Sequence, residues 1–328
     1  MKKPLIGMLA ALLTAGATAL AGAPAATAAP APAIDAPAIA APAPAIDAPA
    51  IAAPAPAIDA PAIAAPAAAI SAPVGAESAQ AGKVAAVTFA GTVALSNCSG
   101  SLVRFPASTA NDPALVLSNG HCLETGMPGP GQVVVNQASS RTFTLLNASG
   151  GSAGTLRATK LVYGTMTDTD VSIYQLNTTY AAIQSSYGIA PLTVAATHPV
   201  QGTSIRVVSG YWKRIYSCSA DGFAYRLKEA DWTFKDSLRY TSGCNVIGGT
   251  SGSPVVDATS GQVVAVNNTI NESGQRCTLN NPCEVDQNGT VTVRRGIGYA
   301  QETYLIPACF STGNRLDLTK AGCTLPRP

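Results

Sequence analysis

The sequence predicts an all-β domain carried behind a non-globular front end, and three observations predict it. Composition changes abruptly near residue 82, where an Ala- and Pro-rich tract gives way to mixed sequence. Beyond that point, short runs rich in Val, Ile, Thr and Tyr alternate with Gly, Ser and Asn clusters, which is the signature of strands and turns. All eight cysteines also lie beyond it. The whole-chain figures (328 residues, formal net charge +2, 47% hydrophobic, 12% charged) are skewed by the front end. The near-neutral balance, with no basic run longer than two residues, argues against a nucleic-acid partner held through phosphates.

Taken in order, Met1-Lys2-Lys3 is a short basic start, residues 4–20 form an apolar run, and Ala26-Thr27-Ala28 supplies small residues for cleavage. Residues 1–28 therefore read as a secretory signal peptide, and the chain is expected to be exported. The run is marginal against the about 20 apolar residues a bilayer crossing needs, so no transmembrane segment is expected in the mature chain. Residues 29–81 carry a repeat of twelve residues, marked by Ile34-Asp35, Ile46-Asp47 and Ile58-Asp59 and decaying at Ile70-Ser71. Twelve of the chain's 24 prolines lie between Pro24 and Pro73, removing backbone donors and fixing φ, so neither helix nor sheet propagates. The segment reads as an extended spacer, propeptide or envelope-contacting stalk.

Residues 82–328 remain for the folded part, with 18 basic and 14 acidic side chains. An even number of cysteines in an exported domain reads as disulfides. With two histidines and no Cys-x-x-Cys pair, no metal and no cofactor is expected. Strand-like runs fall at 84–89, 101–104, 115–118, 132–136, 171–176, 204–208, 255–257, 262–266 and 290–294. A helix is expected at 180–187, between two β halves, and a second, limited by Pro307, after Tyr304. The length suits two small barrels, at 84–185 and 186–306, better than one, with a tail behind them.

Three strings carry chemistry. An apolar strand ends at Asn119-Gly120-His121-Cys122; an acid opens a β run in Asp168-Thr169-Asp170-Val171-Ser172-Ile173; and Gly248-Gly249-Thr250-Ser251-Gly252-Ser253-Pro254 holds a serine ahead of a strand. A serine hydroxyl is a weak nucleophile until a base takes its proton. Histidine does this near neutrality, and a buried aspartate fixes its tautomer. Glycines let backbone N–H groups converge on a developing oxyanion, and Gly249 with Ser251 has the spacing for that hole. Asp168 competes with Asp170 for the acid; the β run starting directly after Asp170 favours the latter.

The strings resemble those of the secreted bacterial trypsin-like peptidases of the chymotrypsin fold. Cys98-Ser99-Gly100-Ser101-Leu102-Val103 is similar to that family's Cys-Gly-Gly-Ser-Leu-Ile, and Asn119-Gly120-His121-Cys122 to its Ala-Ala-His-Cys. Asp170-Val171-Ser172-Ile173 is similar to Asp-Ile-Ala-Leu, and Gly249-Thr250-Ser251-Gly252-Ser253-Pro254 to Gly-Asp-Ser-Gly-Gly-Pro. The resemblance implies two antiparallel six-stranded β-barrels with the active site in the cleft between them. It implies His121 as general base, Asp170 as orienting acid, Ser251 as nucleophile, and a Cys98–Cys122 disulfide. The expected activity is that of a secreted serine endopeptidase acting as a monomer on protein or peptide substrates. The alternative is a catalytically silent binding or adhesion module on a proline-rich stalk.

Several features depart from the family pattern. Thr250 stands where zymogens of the family place an aspartate that pairs with a new amino terminus, so the spacer is not expected to be released through that switch, although Lys83-Val84-Ala85-Ala86 resembles an activation junction. No acid lies between Gly243 and Thr250; the pocket floor aligns near Asn245, and one wall reads Val266-Asn267-Asn268-Thr269. A neutral side chain before the scissile bond is therefore expected. Proximity favours Cys277–Cys283 and Cys309–Cys323, which leaves Cys218–Cys244. Asp286-Gln287-Asn288-Gly289 reads as a hairpin turn and His198 as a surface loop residue. An α/β-hydrolase is excluded, because no Gly-x-Ser-x-Gly surrounds Ser251 and no histidine follows it.

Overall fold

The structure, a computed structural model, describes residues 86–328. The expected signal peptide, the twelve-residue repeat and the Lys83-Val84 junction lie outside the described residues. The first sheet is built from β1 (Thr92–Ala94), β2 (Ser99–Arg104), β3 (Pro113–Ser118), β4 (Val133–Ala138), β5 (Thr142–Leu146), β6 (Ser152–Thr165) and β7 (Val171–Thr179). Its order is β1-β5-β6-β7-β3-β2, and β2 pairs back onto β1, so six strands close a barrel; β4 lies along β6. Helix α1 (Tyr180–Tyr187) follows, capped by the Thr179 hydroxyl, which accepts from Ala182 N–H, and ended by Gly188 in the left-handed region. Next, β8 (Leu192–Thr193) adds parallel to β2. The first sheet therefore reaches past the boundary expected at 185.

The second sheet contains β9 (Ser204–Ser209), β10 (Arg214–Glu229), β11 (Trp232–Tyr240), β12 (Pro254–Asp257), β13 (Val263–Ile270), β14 (Cys283–Val285), β15 (Val291–Val293) and β16 (Gly298–Glu302). The ring β9-β10-β11-β16-β13-β12 closes on β9, giving a second six-stranded barrel from which β14 and β15 extend as a hairpin. The turn between them is Asp286-Gln287-Asn288-Gly289, where the Asp286 carboxylate accepts from the N–H groups of Asn288 and Thr290. Disulfides join Cys98–Cys122, Cys218–Cys244, Cys277–Cys283 and Cys309–Cys323.

Strand β3 shows why its sequence is almost continuously apolar. Ala114 and Val116 point into the first barrel among Leu102, Phe143 and Leu145, whereas Leu115 and Leu117 point outward. The outward face is covered by the segment after β16, through Ile306, Phe310 and Leu325. That segment, held by Cys309–Cys323 and by the short pair β17 (Phe310–Ser311) and β18 (Arg315–Leu316), packs Phe310 on Phe105 with ring centroids 4.5 Å apart. The expected tail is thus a strap, and each face of β3 buries its own alternate residues. The strand expected at 84–89 is not formed over its described part. Val87 and Phe89 pack instead as an irregular arm on Val208, Val256 and Val263.

Candidate active site

Two strands set the first half of the site. β3 and β7 pair with Ser118 opposite Ser172, so the turn that follows β3 lies against the residue that precedes β7. That turn holds His121, anchored by the Cys98–Cys122 bond, and Asp170 faces it. Asp170 is fully buried; one carboxylate oxygen stands 2.6 Å from His121 Nδ1 and the other accepts the His121 backbone N–H at 3.0 Å. Because an ionised carboxylate only accepts, Nδ1 carries the ring proton and Nε2 presents a lone pair. Asp168 turns away: at φ 59° it is half exposed and pairs with the Lys235 ammonium.

Ser251 comes from the loop between β11 and β12. Its carbonyl accepts the Ser99 N–H at 2.8 Å, tying the second barrel to the first. The next residue must be glycine. A Cβ on Gly252 would stand 2.1 Å from the Ser99 carbonyl oxygen, and its φ is +77°. Gly249 also takes a positive φ, +85°. With that backbone path, neither Gly249 N–H nor Ser251 N–H has an acceptor among the described residues. The Ser251 hydroxyl lies 3.4 Å from the Asn268 carbonyl oxygen and makes no hydrogen bond to His121. Both side chains nevertheless line one cleft, and hydrogen bonds of this kind are often long until a substrate is bound.

The cleft spans about 560 Å³, part of it open to solvent. Val246, Ile247 and Gly248 form one wall and Asn267 to Ile270 the other, while Glu229, Trp232 and Phe234 approach from the β10–β11 hairpin. Asn267 is buried, donating to the Thr250 hydroxyl and accepting from Tyr240. Thr250, in turn, donates to the Ile247 carbonyl, so the position that is acidic in family zymogens is satisfied without a charge. Thr269 donates to Glu229 Oε1 at 3.0 Å. Asn245 is a correction: it does not line the cleft. Its φ of 46°, directly after the disulfide-held Cys244, turns the side chain outward onto the Gly243 carbonyl.

Residues 98–266, just over half of the chain, match the family described as trypsin-like peptidase domain. The chain belongs to the trypsin-like peptidase family. Among solved structures it is similar to the active form of the Rv3671c protease from M. tuberculosis, at 16% identity and TM-score 0.42, over 74% of this chain and 85% of that one. It is also similar to the MamO protease domain from Magnetospirillum magneticum, at 13% identity and TM-score 0.40, over 67% and 95%. At these values the likenesses add nothing to the family match. No curated protein matches the sequence significantly.

Two residues of this trypsin-like peptidase escape sequence reasoning. Asn119, fully buried, donates to the Asp170 carbonyl at 2.7 Å and accepts the Gly252 N–H at 2.5 Å, so one amide joins all three strings. Its signal was faint: a lone carboxamide closing an apolar strand. Glu229 had no local signal, since it sits at a hairpin end distant in sequence from every string. It is 6% exposed; Oε1 accepts from Asn280 N–H at 2.7 Å and from Thr269, and Oε2 has no hydrogen-bond partner among the described residues. Burial pushes the Glu229 carboxyl up, against the hydrogen bonds from Asn280 and Thr269 and the attraction of His121. Burial alone would lower the His121 imidazole, but the charge and hydrogen bond of Asp170, with Glu229 beyond, leave it raised above its ordinary value.

Proposed function

We propose that this trypsin-like peptidase is an exported serine endopeptidase working through His121, Asp170 and Ser251. As Ser251 Oγ attacks the scissile carbonyl carbon, His121 Nε2 takes its proton. The carbonyl oxygen becomes an oxyanion directed at the N–H groups of Gly249 and Ser251. Collapse breaks the C–N bond, His121 returns the proton to the leaving amine, and an acyl ester remains on Ser251. A water, deprotonated by the same imidazole, then releases the acid and restores the hydroxyl. Asp170 stays ionised throughout and stabilises the imidazolium.

The observation that carries this reading is the 2.6 Å contact between His121 and a fully buried carboxylate, on the rim of the cleft that Ser251 lines. The cleft lining supports a further element. Among the described residues it contains Glu229 and Glu272 but no lysine or arginine, which favours a cationic substrate side chain over the neutral one expected from sequence. The disulfides and the signal-like start support export. A phosphonyl fluoride, with a fluorogenic peptide library, tests the proposal. Stoichiometric labelling at Ser251, abolished in His121→Ala, with library cleavage, is the expected result. A folded protein that neither labels nor cleaves overturns it and selects the silent binding module.

A further inference from the structure

The chain has two histidines, and the second also meets carboxylates. His198 lies in the linker that enters the second barrel, Asp236 on β11 and Glu302 at the end of β16. His198 Nε2 stands 3.0 Å from Glu302 Oε2 and 3.4 Å from Asp236 Oδ2, and one donor atom of each residue falls within 4.8 Å of the others. The ring is held in place. Its Nδ1–H donates to the Pro199 carbonyl at 2.6 Å, and Phe223 and Tyr304 contact it edge-on. Since that carbonyl can only accept, Nδ1 carries a proton there, and Nε2 is the ring atom turned toward the two acids.

Glu302 makes the arrangement unusual. Its side chain is 2% exposed, yet among the described residues neither carboxylate oxygen has a hydrogen-bond partner, the His198 Nε2 contact apart. A buried carboxyl without partners is costly to ionise, so such a group is protonated, paired or bound to metal, and burial with Asp236 alongside pushes Glu302 up to about 9. Lys235, on the same strand as Asp236, is engaged elsewhere by Asp168. Asp236 is already oriented: it is held at φ 48° within a strand, and its Oδ2 accepts from the Tyr304 hydroxyl at 2.8 Å.

We propose that His198 Nε2, Asp236 Oδ2 and Glu302 Oε2 form a binding site for a single divalent cation of the zinc class. Around an ion with ligands at about 2.0–2.2 Å, neighbouring donors stand about 3–3.5 Å apart, as the two measured separations do. One imidazole nitrogen with two carboxylate oxygens suits zinc or manganese better than calcium, which takes six or more oxygens. The Nδ1–H bond to Pro199 and the Tyr304 hydroxyl supply the outer partners that fix ligand orientation in such sites. The half-exposed His198 and Asp236 leave the ion a route from solvent. Two negative charges and one divalent ion cancel, which settles the buried Glu302. The ion would tie the inter-barrel linker to β11, whose Lys235 N–H donates to the Asp168 carbonyl two residues before Asp170.

The competing account is an imidazolium, or a proton shared between Asp236 and Glu302, with no ion at all. Full-length Ser251→Ala protein, stripped with a chelator, is titrated calorimetrically with Zn2+, Mn2+ and Ca2+ separately, and crystals grown with Zn2+ are measured at the zinc absorption edge. The expected result is one Zn2+ per chain and a higher Tm, with an anomalous peak on His198. Glu302→Gln should weaken binding by more than the about 10- to 100-fold that loss of an outer partner costs. Its fold is checked by Tm in chelator, expected close to the parent because the amide keeps the shape of the buried carboxyl. If it fails to fold, His198→Ala, altered at a half-exposed position, carries the comparison. A parent that binds no Zn2+, equal binding by parent and variants, or a peak on His121 instead overturns the proposal.

Discussion

The two histidines are oriented in opposite senses relative to their acids. His121 turns Nδ1 to Asp170 and leaves Nε2 toward the cleft, whereas His198 gives Nδ1 to a backbone carbonyl and turns Nε2 upon Asp236 and Glu302. The buried acids differ correspondingly. Asp170 has both oxygens satisfied by one residue, while Glu302 has neither. Residue type alone therefore does not separate the proposed catalytic histidine from the proposed cation ligand. The hydrogen bond made by the other ring nitrogen decides where the lone pair goes.

The comparison can be broken most severely at the first histidine. Ser251→Ala or His121→Ala should lower kcat for peptide hydrolysis by about a millionfold, with the double variant no worse, because the groups act as a unit. Asp170→Asn keeps the shape but presents the wrong donor to Nδ1, and a loss of about ten-thousandfold is expected in kcat. Asn119→Ala removes the amide that links Asp170 to Gly252, and the resulting displacement should cost about a hundredfold in kcat/KM. That variant should also unfold at a lower temperature by calorimetry, since it leaves the Asp170 carbonyl unpaired in the core.

Smaller effects sharpen the electrostatic side. Only neutral imidazole accepts the serine proton, so kcat/KM should fall as pH drops through the His121 pKa. The raised value places that limb above the ordinary one of about 6.5. Glu229→Gln removes a negative charge that favours the imidazolium, so the limb should move to lower pH, and further still in any residual activity of Asp170→Asn. The same Glu229→Gln substitution should reduce the preference for lysine and arginine over neutral side chains by about tenfold in a peptide library, equivalent to about 1.4 kcal/mol. An unchanged profile would mean that the free Oε2 does not meet substrate.

Much of this was legible in the sequence because it was local. Strands such as β3 and β12 read directly as apolar runs, and α1 carried its own cap residues at Thr179 and Gly188. The long strands β6, β10 and β11 were missed because each exposes part of its length and carries charges, as in Lys160, Arg226 and Lys235, so the apolar signal is diluted. His121, Asp170 and Ser251 sit in strings with recognisable neighbours. Glu229 and Glu302 do not; each is an unremarkable acid at a strand end, and only closure of the second barrel brings them to Thr269 and His198. Asn245 failed for the opposite reason, because alignment along the chain could not anticipate a left-handed residue turning its side chain outward.

The strap that covers Leu115, Leu117 and Ile173 has a consequence for how the molecule comes into being. A chain threading out amino-terminus first makes every strand of the early barrel long before Ile306, Phe310 and Leu325 follow. Until they do, an oily flank stays open to water, so the early half is expected to settle only once that segment has followed. A fragment ending at residue 302 should accordingly bind a hydrophobic dye and aggregate, where the full-length protein does neither.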